Sequence, residues 1–315
     1  MTSWKRKTHP RALISLSALV GSLLFTTFSA RADEMITEKY LFSFKTYKST
    51  CLLRVNDFPA ADSTTADFGT LSAGFNLTAF LENGPNTIEL LMGPQDHADP
   101  DTLYSDSSCK LTVSKDTKDN SETLAEFALT VDANGHITAK ESADYQGGAF
   151  HSRVLEGTTK NPNDFGLYKL ESTVTAKGLP RWAWADATPV SEKDLPLIQK
   201  AYADIWKLIQ ARDMEALKKI TRISSEEMAY AEGTSPGVVL LSTDFPEHVV
   251  DKQYTPVPIV WGDYELKTYR GGRLFRLAAG CFQTSPLQFQ NASGEVVYVY
   301  NPYFSLINGK VVLVR

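Results

Sequence analysis

Histidine and cysteine, the side chains that most often hold metals or carry nucleophilic catalysis, are scarce: five and three among 315 residues. Beyond residue 32 the histidines are His97, His136, His151 and His248, none paired at i, i+2 or i+4. The H-E-x-x-H spacing of a helix-borne zinc site is therefore missing, and so are a P-loop and a G-x-G-x-x-G following a strand. We expect no metal and no cofactor. Basic residues are in deficit too: 32 Lys and Arg stand against 37 Asp and Glu, a formal charge of −5. That balance argues against nucleic acid and anionic membranes as partners.

Long apolar runs are also missing, with one partial exception. After Lys5, Arg6, Lys7 and Arg11, the stretch Ala12–Phe28 is apolar but interrupted by small polar residues. It falls short of the ~20 apolar residues that a membrane span needs. Ala30-Arg31-Ala32 follows, then Asp33-Glu34. Basic start, apolar middle and small residues at −3 and −1 read as a secretory signal cleaved between Ala32 and Asp33. The expectation is export to the periplasm, with no stable membrane insertion after processing. Residues 1–32 carry five basic side chains and no acid, so their loss takes the formal charge from −5 to −10.

An oxidising destination permits a disulfide. Cys51 and Cys109 each sit in a strand-like segment of the first half, and we expect them to pair, leaving Cys281 as a buried thiol. Three buried free thiols is the alternative, since free cysteine is a common core residue.

Residues 33–178 read as β structure: short runs rich in aromatic and branched side chains, with turns between them. Strands are expected at Tyr40–Tyr47, Cys51–Val55, Leu71–Leu81, Thr87–Met92, Cys109–Ser114, Leu124–Val131, Ile137–Lys140, Phe150–Leu155 and Leu167–Thr175. Asn83-Gly84-Pro85-Asn86 reads as a turn and Asn134-Gly135 as a hairpin. Many short strands with such punctuation indicate an antiparallel β-sandwich. The segment NLTAFLENGPNTIELLMGP resembles the turn-and-strand pattern of jelly-roll sandwich modules, which implies a fold and nothing about activity.

Pro180 and Pro189 bracket a linker, residues 179–190, and the periodicity then changes from 2 to 3.6. Ile198, Ala201, Tyr202, Ile205 and Ile209 share one helical face, and Asp194 is placed as the N-cap so that Pro196 falls in the first turn. Two short helices are expected next, Met214–Ile220 capped by Asp213 and a second capped by Ser224 and ended by Gly233. Strands follow: Val238–Leu241, Val257–Trp261, Asp263–Tyr269, Arg273–Ala278, Pro286–Phe289, Val296–Tyr300, Phe304–Ile307 and Val311–Val314, with hairpin turns at Gly271-Gly272 and Asn308-Gly309. The fold class is α+β with two domains, 33–178 and 191–315. WKLIQARDMEALKK and the ending LINGKVVLVR resemble the nuclear-transport-factor-2-like (SnoaL-like) superfamily. That resemblance implies helices followed by a curved, cone-like sheet with a pocket between them, and no particular reaction.

The search for chemistry yields little. Gly233-Thr-Ser235-Pro236-Gly237 matches G-x-S-x-G, but Pro236 lacks the backbone N–H that the oxyanion requires, and the motif is expected to lead from a helix into a strand. His248 with Asp263 or Asp244 is the acid–base pair to weigh, against a surface histidine in a loop. Asp96, Asp99, Asp101 and Asp106 lack the glycine and terminal glutamate of a calcium loop. Arg270, Arg273 and Arg276 surround Gly271-Gly272, where a solvated hairpin is expected. Tyr298 and Tyr300 share a strand face, and with Arg273 they are the candidate partner- or ligand-binding residues. The balance favours a binding protein over an enzyme. Its expected partner is a basic protein, and the class that fits is an immunity protein against a periplasm-directed toxin such as a type VI secretion effector. The alternative is a periplasmic enzyme, or a small-ligand or carbohydrate carrier using a pocket in the C-terminal domain.

Overall fold

Alternation of apolar side chains builds the first half of the chain. In the computed structural model, which describes residues 36–144, 155–280 and 283–315, eleven strands form two antiparallel sheets. They are β1 (Glu38–Tyr47), β2 (Thr50–Val55), β3 (Phe58–Asp62), β4 (Leu71–Asn76), β5 (Gly84–Gly93), β6 (Ser108–Thr117), β7 (Ser121–Val131), β8 (Ile137–Thr138), β9 (Ala143–Asp144), β10 (Leu155–Thr158) and β11 (Tyr168–Ala176). One sheet runs β4-β1-β6-β7-β8 with β9 also on β7; the other runs β10-β11-β5-β2-β3. Tyr40, Phe42 and Phe44 of the first share one core with Leu53, Val55, Ile88 and Leu90 of the second. The period of 2 turns every second side chain of a strand inward. Cys51 on β2 and Cys109 on β6 are both fully buried and form a disulfide between the two sheets, with Cα atoms 6.0 Å apart.

The second half opens with helices. A capping box at Ser191, closed by Asp194, tightens a 3₁₀ turn over Glu192–Asp194. α1 (Leu195–Ala211) then begins with Asp194 as its N-cap residue and Pro196 in its first turn, where no amide is missed. Ile198, Tyr202, Ile205 and Ile209 are its buried face. Arg212 turns left-handed, Asp213 caps the next amides, and α2 (Met214–Glu232) runs to Gly233 at φ 64°. α3 (Pro236–Leu241) and α4 (Phe245–Val250) follow, then β12 (Thr255–Pro256), β13 (Glu265–Tyr269), β14 (Leu274–Ala278), β15 (Leu287–Gln290), β16 (Val296–Tyr300), β17 (Phe304–Ile307) and β18 (Lys310–Leu313). The sheets are β12-β15-β16 and β13-β14-β17-β18, and the helices' apolar faces pack against Phe275, Leu277, Phe289 and Phe304.

The protein is thus a mixed α+β fold with antiparallel sheets. The described residues all fall within one compact unit. A third core draws on both halves: Phe58 and Ala79 with Trp182, Trp184, Ala231, Tyr269, Leu274 and Val314. The ring of Phe58 stacks on Tyr269 at 4.9 Å.

Several sequence expectations need correction. Val238–Leu241 is helix α3 and not a strand, because Ser235 caps Val238 N–H and Pro236 stands in the first turn. The two short helices are one, α2; Ser224 and Ser225 are buried inside it and cap nothing. Val257–Trp261 is a connection ending in a 3₁₀ turn, apart from the pair Thr255–Pro256 just before it. Leu71–Leu81 is a strand only to Asn76, after which Thr78–Phe80 coils. Gly84 and Pro85 lie inside β5, paired with Ala176 and Thr175, at the strand start where proline is tolerated. The segment 1–32 with its Ala32–Asp33 boundary, His151, most of Phe150–Leu155, and Cys281 lie outside the described residues. Among the described residues no helix is long and apolar enough to cross a membrane.

Candidate functional site

The expected acid–base pair is not assembled. His248 lies on α4 with its ring between Tyr254 (centroids 4.9 Å apart) and Tyr298 (4.1 Å), and edge-on to Phe289 at 5.9 Å. Its Nδ1 is 2.9 Å from the Asp244 carbonyl oxygen. Asp263 is exposed in the 3₁₀ turn Trp261–Asp263, and no hydrogen bond or ion pair joins it to His248 among the described residues.

Tyr298 and Tyr300 are brought together as expected, on the α4 side of β16. Tyr300 is 9% exposed and stacks on Phe245 at 4.0 Å. Tyr298 donates its hydroxyl to the Thr243 carbonyl, fixing β16 to the α3–α4 connection. Burial, and after it the charge of Asp244, push the Tyr298 hydroxyl well above the ordinary phenol range. So the tyrosine stays neutral and serves as a hydrogen-bond donor.

Arg273 stands elsewhere. It grips Glu82 with both arms, at 2.6 and 2.8 Å, and donates to the Ala185 carbonyl at 2.7 Å. Arg270 shares the same carboxylate and also donates to Asn56 at 2.7 Å. Both guanidiniums lie over the ring of Trp184. Burial alone would raise the Glu82 carboxyl, but the hydrogen bonds and charges of Arg273 and Arg270 prevail and hold it below the usual range. The hairpin expected to be solvated is a seam between the two halves. Gly272 at its tip admits no side chain, since a Cβ there would meet Val190 backbone at 3.1 Å. Arg276 is separate: buried over the ring of Tyr303, it donates to Gln283 at 3.0 Å.

The remaining motifs hold structure. Gly233 ends α2 and Ser235 starts α3, so the G-x-S-x-G match joins two helices instead of leading into a strand. Asp96 and Asp99 cap nearby backbone amides, and Asp106 pairs with Lys48 at 2.7 Å. No group of three or more metal-ligating side chains is found among the described residues. Two charged clusters escaped sequence reasoning. Arg54 and Lys169 clasp the fully buried Asp164 at 2.7 and 3.2 Å, with Glu89 2.9 Å from Lys169. Arg315, with its side chain 1% exposed, reaches Glu227 at 2.5 Å. Their partners are far apart in sequence, so only the alternation Arg54, Glu89, Lys169 on neighbouring strands hinted at the first.

Two surfaces remain. One is a cavity of about 450 Å³ lined by Leu41, Ser43, Gly74, Phe75, Asn76 and Thr112 on the sheet of β4, β1 and β6. The other is the corner where β16 meets α4. Val296 and Val297 on β16 are 51% and 43% exposed. Along the chain, Asp244, Glu247 and Asp251 stand against one Lys252 in α4 and its ends, Glu295 directly precedes β16, and the charge of Asp244 acts on the Tyr298 hydroxyl. An exposed apolar strand with acidic residues close in the chain is suited to recognition of a basic partner. No known protein-family profile, curated protein or solved structure matches the chain.

Proposed function

We propose that this is an exported binding protein that captures a basic protein in the periplasm. In the fuller form of this reading it is an immunity protein against a periplasm-directed toxin, such as a type VI secretion effector. Residues 1–32 are the signal, and the mature chain from Asp33 carries a formal charge of −10. Its architecture is a β-sandwich, 33–178, a linker, 179–190, and a helices-then-curved-sheet domain, 191–315, fused across the shared third core. The observation that carries the reading is the exposed valine pair of β16, directly after Glu295 in the chain and on the strand whose Tyr298 hydroxyl feels the charge of Asp244. The Cys51–Cys109 disulfide is compatible with an oxidising compartment.

The test is protection. The reading predicts a gene for a basic toxin beside this one: bacteria that export the protein should survive periplasmic delivery of that toxin, a cytoplasmic version lacking residues 1–32 should not protect, and a neighbourhood without such a gene counts against the immunity form. A periplasmic small-molecule turnover lost in His248→Ala would instead establish the enzyme reading.

A further inference from the structure

We infer that the outer edge of β16 is a strand-docking site, and that its occupant is an extended, lysine- or arginine-bearing segment of a partner protein. The inference rests on the proposed capture of a basic protein and assigns it a place and a mode.

Backbone geometry comes first. β16 pairs with β15 on one side and with no strand on the other among the described residues. Val257 N–H donates to the Gln288 carbonyl at 2.9 Å, so Gln288 turns its carbonyl away from β16, to the β12 side. In an antiparallel ladder adjacent residues turn to opposite sides. Leu287 and Phe289 therefore face β16, and their partners Tyr300 and Tyr298 use their N–H and C=O groups within that ladder. Val299 lies between these two tyrosines and turns its own N–H and C=O to the open edge. Neither group is in a backbone hydrogen bond outside the ladder among the described residues. The register shift between Phe289 and Gln290 leaves Val297 as the extra residue of a bulge, next to that same edge.

Composition singles this edge out. Exposed edges are usually guarded by proline, charge or brevity. β3 carries Pro59, β13 carries Glu265 and Lys267, β10 carries Glu156, β18 carries Lys310, β8, β9 and β12 have two residues each, and β4, the other uncharged edge, is weakened as a strand by Gly74 at its middle. β16 reads Val-Val-Tyr-Val-Tyr, all strong strand formers and none charged. Strand addition draws affinity from main-chain hydrogen bonds and specificity from alternate side chains. Glu295, directly before the strand, and Asp244, whose charge acts on Tyr298, favour lysine or arginine at those alternate positions. They also disfavour a second copy of this chain, which would bring Glu295 and Asp244 against their own kind.

The probe is a fluorescently labelled nine-residue peptide alternating lysine and valine, compared with a peptide of equal charge whose central valine is proline. The alternating peptide should bind the chain 33–315 at least tenfold more tightly and slow hydrogen exchange at Val299. Val299→Pro removes an outward donor while sparing the β15 ladder, and Val297→Lys places a charge on the edge. Each should weaken binding at least tenfold, and Val260→Lys, at an exposed valine elsewhere, should not. If Val299→Pro fails to fold, Val297→Lys decides alone. Equal binding of the two peptides, or protection at another site, overturns the edge assignment and leaves capture by charge standing. Binding of neither peptide at low salt removes both. A wild-type dimer that Val299→Pro dissociates assigns the edge to a second copy and overturns the inference.

Discussion

Replacing Glu227 with alanine should unfold the protein far more readily than replacing Glu226, its neighbour on the same helix. Glu226 pairs with Arg222 on the surface, the two side chains 49% and 63% exposed. Such an i, i+4 pair is worth about 0.3–0.5 kcal/mol. Glu227 accepts from Arg315 at 2.5 Å and from the Ala183 amide at 2.7 Å. Arg315 also donates twice to the Ala79 carbonyl, at 3.0 and 2.8 Å, and lies 5.1 Å from the centre of the Trp182 ring. Without Glu227 a buried guanidinium loses its only carboxylate among the described residues, and a half-buried amide loses its acceptor. Breaking one side of a buried pair costs about 3–5 kcal/mol. For a chain of this size that lowers Tm by on the order of 10 °C. Because Glu227 and Arg315 belong to the second half and Ala79 to the first, both halves should melt together in one calorimetric transition. A loss from Glu227→Ala within 0.5 kcal/mol of that from Glu226→Ala, or a transition that splits with one half unchanged, would refute this account of the seam.

The disulfide closes a separation of 58 residues, worth about 4 kcal/mol by the loop-entropy relation; reduction should lower Tm accordingly, and free thiols at Cys51 and Cys109 in unreduced protein would contradict it. Glu82 is held below its ordinary value by Arg273 and Arg270, so the stability it contributes is full above about pH 4.5 and is lost as pH falls through the lower folded value. Glu82→Gln should flatten that acid limb in pH-dependent melts, and an unchanged limb would show that the clamp does not titrate with folding. Mass spectrometry of the periplasmic fraction should find Asp33 as the first residue, whereas a full-length, membrane-bound chain would count against export with cleavage.

What was legible in the sequence was local. Alternating side chains gave away β1, β2 and β6, and paired Asn-Gly dipeptides marked the hairpins at Asn134 and Asn308, where φ is 50° at Asn308. The 3.6 period of Ile198, Tyr202, Ile205 and Ile209 marked α1. Four apolar residues in a row at Val238–Leu241 were ambiguous between strand and helix, and the Ser235-Pro236 start decided for helix. Ser224-Ser225 looked like a break, yet burial against the seam keeps that turn of α2 helical: tertiary contact overrides weak propensity. The candidate site was half legible. Tyr298 and Tyr300 share a face through the period of 2, as expected. Arg273 was misplaced because its carboxylate, Glu82, is 191 positions away and leaves no local trace. The open edge of β16 depends on which strands pair and in what register, and spacing along the chain does not encode that.

The claim that the protein works by binding a basic partner is tested most directly by association kinetics. Immobilised chain 33–315 is titrated with the nine-residue peptide alternating lysine and valine, at ionic strengths from about 0.01 M to 1 M, where the Debye length shrinks from ~30 to ~3 Å. Charge complementarity acts mainly on encounter, so the association rate should fall steeply with salt while dissociation changes little. An association rate indifferent to salt, or no binding at any salt, would contradict the account.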